Sequence, residues 1–161
     1  MKGGCAVRFD GLSERARDGL VAAGWSEDRT FEIPEEYVSL CAQVGYADIP
    51  WDVGQFIRSL NGLELVHPHF SMKDTEISTI FDSVATLSDM SWTVLRNEYE
   101  PAAEDGPLYP FGQTPYGLYF MASTRQRVYG GYSPYLGLFG LDFVDYLNRL
   151  YDDRVPETIK R

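Results

Sequence analysis

His67 and His69 are the only histidines among the 161 residues, and they stand two apart in a segment that reads as a strand. Residues two apart on a strand share a face, so the pair could chelate a metal ion with Asp74 or Glu76 as third ligand. Pro68 between them breaks regular pleating, which favours the plainer reading of two polar side chains on the solvent face near a strand end. Nucleophilic catalysis would need a Ser, Cys or Thr brought against one of these two rings. No P-loop or dinucleotide-binding glycine pattern occurs, and Gly130-Gly131 is not followed by a helix start with a lysine. The serine-hydrolase elbow and the zinc-protease helix motif are missing too. Carboxylates could form an acid/base pair, but any acidic domain offers such pairs. No catalytic residue, bound metal or cofactor is therefore expected.

Two other groups of side chains have the chemistry of recognition. Glu98, Glu100, Glu104 and Asp105 make the densest short acidic cluster, in a Pro/Ala-containing stretch ahead of a strand at Leu108, which places them on a surface loop. Tyr116, Tyr119, Tyr129, Tyr132 and Tyr135 gather in a hairpin and the glycine-rich stretch that follows. Core packing with hydroxyls at its edge explains most of them. For Tyr132 and Tyr135 a contact role is the alternative, because tyrosines beside glycines and carboxylates are typical of protein-binding surfaces.

The charge bears on what such a surface would meet. With 24 acidic and 14 basic residues the formal charge is −10, so nucleic acid and anionic membranes would be repelled. The acidity is regional: residues 27–105 hold 16 acidic and 4 basic side chains, the remainder 8 and 10. Many acidic proteins are merely soluble, so the imbalance alone does not establish a basic partner.

The elements that must position these residues can be read from periodicity. The composition, 44% apolar and 24% charged, is that of an ordinary soluble domain, and a chain of this length buries roughly two-thirds of its unfolded surface without staples. Cys5 and Cys41 lie in no ligand cluster and read as free thiols of a reducing cytosol. The first ten residues contain no apolar h-region, and no long apolar run follows, so a cytoplasmic location is expected. One helix is expected over Leu12–Gly24, capped by Ser13. A second begins at Pro34, repeats Tyr37, Leu40, Cys41 and Val44, and stops at Gly45. A third repeats Val53, Phe56, Ile57 and Leu60 before Asn61-Gly62. Leu63–His67, Leu108–Gly112, Tyr116–Ala122 and Arg127–Tyr132 read as strands, the last two forming a hairpin. Ile77–Val94 fits a short helix or a strand, glycines 130, 131, 137 and 140 predict an irregular stretch, and a final helix is expected from about Leu141 to Asp152. The fold class is α+β, with a central, mainly antiparallel sheet and helices at both ends of a single domain over 1–161. Its core should span about 12–152, with short flexible termini.

The order of several short motifs adds a resemblance. Ala23-Gly24-Trp25 followed by Arg29, a Tyr-containing second helix, Phe56-Ile57-Arg58-Ser59-Leu60-Asn61-Gly62-Leu63, Phe81-Asp82, Leu108-Tyr109-Pro110-Phe111-Gly112, the strand to Met121, and Val128-Tyr129 before a Gly-rich loop and final helix together resemble the SUKH superfamily. The likeness covers roughly 12–152 and is closest to the third subfamily. Asn61 stands where the family usually has the first of two glycines, a position Asn tolerates because it also visits αL, and Met72–Trp92 departs from the pattern.

The resemblance implies an α+β domain without a catalytic site. Bacterial members of the family bind and block a toxin made by the same cell, and eukaryotic members act as regulatory or scaffolding modules. The expected function is that of a cytoplasmic immunity protein. Its cognate polymorphic toxin, a basic nuclease or deaminase, would be occluded by a charged rim of Glu98, Glu100, Glu104 and Asp105 and by Tyr132 and Tyr135 as apolar anchors. The alternative is a regulatory or scaffolding interaction module. A small enzyme or metal protein using His67 and His69 is a distant third.

Overall fold

The apolar stripes of the first 60 residues fold as helices in the computed structural model, which describes residues 9–46, 48–152 and 156–161. Helix α1 (Glu14–Ala22) is capped by Ser13, whose Oγ accepts from the Ala16 N–H at 3.1 Å, and buries Ala16 and Leu20. Helix α2 (Glu35–Val44) follows Pro34, carries Glu35 and Glu36 in its first turn, and stops at Gly45 in the left-handed region. Helix α3 (Trp51–Leu60) buries Val53, Phe56, Ile57 and Leu60, the spacing read from the sequence. Beyond it only Gly62 takes a positive φ; Asn61 stays at −56° and instead accepts the Ser83 N–H on its side-chain oxygen at 2.9 Å. Arg29 locks the same corner, donating to the carbonyls of Ser59 and Asn61 at 2.9 Å each. The motif residues Arg29 and Asn61-Gly62 thus meet.

Seven strands then form one sheet in sequence order: β1 (Glu64–Pro68), β2 (Glu76–Ile80), β3 (Leu108–Gln113), β4 (Tyr119–Ser123), β5 (Val128–Tyr132), β6 (Tyr135–Gly140) and β7 (Glu157–Lys160), every neighbour antiparallel. The connection from β2 to β3 carries α4 (Ser83–Asp89), α5 (Trp92–Val94), a π-helical turn (Leu95–Tyr99) and α6 (Glu100–Ala103), while α7 (Phe143–Tyr151) joins β6 to β7. The fold is α+β, with N-terminal helices and a C-terminal helix packed on the sheet. Among the described residues no helix is long and apolar enough to cross a membrane.

The ambiguous stretch therefore divides: Ile77 and Ile80 belong to β2 and Val84 to α4, with Asp82 capping the helix through a 3.0 Å bond to the Ala85 N–H. Three expectations need correction. The stretch after Tyr132 is not irregular but forms β6, beside the expected strand β5, and aromatic rings occupy the space a Cβ would need on the glycines of both. A Cβ on Gly130 would lie 2.5 Å from the Phe139 ring, and one on Gly131 2.7 Å from Tyr99. Residues 157–160 are not a loose terminus but the edge strand β7, and Phe9 joins the core. The acidic stretch at 98–103 is helical rather than loop.

Both faces of the sheet are covered. On one, Phe120 meets Tyr146 of α7 at 5.2 Å, and Phe56 of α3 stacks on Phe143 at 4.1 Å. On the other, Tyr99 lies over Gly131. Tyr37 of α2 donates to the Pro110 carbonyl of β3 at 2.6 Å. Cys41 is a buried free thiol; Cys5 lies outside the described residues.

A candidate partner-binding groove at the hairpin end of the sheet

An antiparallel sheet in sequence order brings the β1–β2, β3–β4 and β5–β6 connections to the same end. The β1–β2 connection, residues 69–75, is a strap held by His69: its N–H donates to the Thr75 carbonyl at 2.7 Å, and its Nδ1 accepts from the N–H groups of Ser71 and Met72 at 3.1 Å each. Phe70 turns inward, its ring 5.2 Å from both Phe139 and His67, and leaves Met72 outside. The β3–β4 turn closes through Thr114 and Gly117, the latter at φ 85°, and projects Tyr116, which is 85% exposed. At the β5–β6 turn the rings of Tyr132 and Tyr135 lie 5.4 Å apart, Tyr135 resting over Gly137.

Between strap and turns lies an open groove of about 730 Å³, floored by Ile77, Leu118 and Phe139 and rimmed by Met72, Tyr116 and Tyr132. The exposure of those three rim side chains, 56%, 85% and 57%, is unusual for large apolar groups converging on one place. Tyr132 and Tyr135 were marked by the sequence. The strap and Met72 were not, because residues 69–75 carry neither a helical nor a strand period; the signal was a lone Met between Ser71 and Lys73 in a polar loop.

The four acidic candidates separate. Glu98 joins the tyrosines: Ser133 in the β5–β6 turn donates to its Oε2 at 2.8 Å, and Lys160 lies 3.6 Å away. Glu104, at the end of α6, is exposed. Glu100 instead points inward, accepting from the Tyr46 hydroxyl and pairing with Arg96 at 3.2 Å. Burial, then the Glu100 hydrogen bond and charge, raise the Tyr46 pKa well above its usual value.

Asp105 is the clearest departure from the expected rim, with its side chain 1% exposed. It accepts from the Tyr129 hydroxyl at 3.1 Å, with Arg125 and Arg127 each at 3.5 Å. Burial, and then this carboxylate, push the Tyr129 pKa up to about 12. Glu100 and Asp105 thus hold the α6 region to the core, leaving Glu98 and Glu104 for a rim.

The histidines also separate. His67 is not on a solvent face: it is buried between Phe70 and Tyr151, because the strap folds over its side of the sheet. Its Nδ1 faces the Pro68 carbonyl at 2.9 Å and must carry the proton, so Nε2, 2.7 Å from Thr79 Oγ1, accepts from that hydroxyl. Burial lowers its pKa to about 4. With both nitrogens engaged, His67 has no lone pair free for a metal. Among the described residues no group of three His, Cys, Asp or Glu side chains could hold one. The groove can supply apolar area and scattered hydrogen bonds. Comparison of the chain with protein-family models, curated proteins and solved structures finds no match.

Proposed function

We propose that this chain is an immunity protein that binds and neutralises a basic toxin protein, of the nuclease or deaminase kind, by covering its working surface. The observation that carries this reading is the groove: Met72, Tyr116 and Tyr132 stand exposed around it, and Glu98 is tied to the turn between Tyr132 and Tyr135. Rigid tyrosines around an apolar floor are the usual anchors of protein interfaces. The formal charge of −10 would draw in a basic partner and repel the nucleic acid such a toxin acts on. The order of the SUKH-like motifs supports the same reading.

The test is to identify the genes flanking that of this chain and to express any encoded toxin domain with and without it. Restored growth on co-expression, and a complex of the two purified proteins, are the expected results. Toxicity that persists despite folded, expressed chain would contradict the proposal and leave regulation or scaffolding of an endogenous protein as the better account.

A further inference from the structure

The sheet is split at this groove. Strand β1 pairs with β2 along its whole length, from Glu64↔Ile80 to Pro68↔Glu76, whereas β2 meets β3 only at Ile80↔Gln113. The Phe81 N–H donates to the Leu63 carbonyl and its carbonyl accepts from Gly62, while the Thr75 carbonyl accepts from His69. Backbone groups alternate sides along an antiparallel strand, so odd-numbered residues of β2 spend theirs on β1. Even-numbered Glu76, Ser78 and Ile80 point theirs the other way, where only Ile80 has a strand partner among the described residues. The N–H and C=O of Glu76 and Ser78 therefore form a short open edge. Ile77, on the strand between them, lines the groove, and Leu118 lies across it.

A strand laid on this edge would send every second side chain into the groove. The charges beside it favour a basic occupant: Asp74 and Glu76 have no ion-pair partner among the described residues, with Lys73 the neighbouring cation. The surrounding region, residues 27–105, has 16 acidic against 4 basic side chains. We infer that an extended segment of the partner protein, alternating apolar residues with Lys or Arg, adds as a strand to the open edge of β2 and packs its apolar side chains between Ile77 and Leu118. That the partner is a toxin rests on the proposed function; the mode of docking does not.

The experiment pans a library of displayed linear dodecapeptides against the purified chain and synthesises the enriched sequence. Alternating apolar and basic residues should be selected. N-methylation of the peptide, one residue at a time, should weaken binding about tenfold or more at two positions spaced two apart, those facing Glu76 and Ser78, and little at the residue between them. Hydrogen exchange at the Ser78 amide should slow in the complex. Ser78→Pro, which deletes an N–H not used by β1, should lower affinity by a similar factor. Should that variant fail to fold, the N-methyl series decides. Failure to enrich alternating basic peptides, or uniform tolerance of N-methylation, would overturn the inference. So would a second copy of the chain on this edge, seen as a concentration-dependent dimer that Ser78→Pro dissociates. Panning needs no toxin, so it can fail while growth rescue succeeds, and the reverse.

Discussion

Glu104 and Asp105 are adjacent acids with opposite environments, one exposed and the other with its side chain 1% accessible. Asp105→Ala would strand the Tyr129 hydroxyl, so a loss of about 2 to 3 kcal/mol in urea unfolding is expected. Glu104→Lys should leave stability within about 0.5 kcal/mol of the parent and instead slow association with a basic partner. His67 gives a pH dependence. Above pH 6.5 it is neutral folded or unfolded; between 6.5 and about 4 the unfolded chain takes up a proton that the folded chain does not. Stability should therefore fall as pH drops through that window, by up to about 3 kcal/mol. Unfolding curves of His67→Phe should lack this part of the acid slope. At this scale the sequence disclosed which residue types were available but not their surroundings. Four clustered carboxylates look alike in a row of letters, and only the tertiary fold brings Tyr129 of β5 to Asp105 and Tyr46, just beyond α2, to Glu100.

The elements that could be read were those whose information is local. In α3 the buried Val53, Phe56, Ile57 and Leu60 carry the helical period within ten residues. Strand β5 could be read from Val128, Tyr129 and Tyr132, but β6, with Gly137 and Gly140, could not, since glycine carries no strand signal of its own. Their stability comes from rings that arrive from elsewhere, such as Tyr99 over Gly131. Gly131→Ala would set a Cβ 2.7 Å from that buried ring, and a loss of about 1 to 3 kcal/mol is expected by thermal or urea unfolding. Helix α7 depends on a local device, the Asp142 side chain accepting the Asp145 N–H at 2.7 Å. Asp142→Ala should cost about 1 kcal/mol by the same measurement. The edge strand β7 was illegible for a third reason: Glu157–Lys160 is mostly exposed and gains its place only by pairing with β6.

Across the whole molecule, the fold gathers three hairpin connections at one end and surrounds an apolar groove with exposed side chains, while the net charge of −10 sets the field a partner would approach through. Steering of that kind weakens as salt rises, since the screening length falls to about 8 Å near physiological ionic strength. The proposed function requires the partner to bind at this end of the sheet. The most direct measurement is the association and dissociation kinetics of the chain with a toxin domain identified by growth rescue, comparing the parent with a Tyr116→Ala, Tyr132→Ala double variant whose fold is checked by circular dichroism. Both side chains are more than half exposed, so the fold should survive. Dissociation should be faster by about thirtyfold or more, with association nearly unchanged. An unchanged dissociation rate in the folded variant would contradict binding at this end of the sheet.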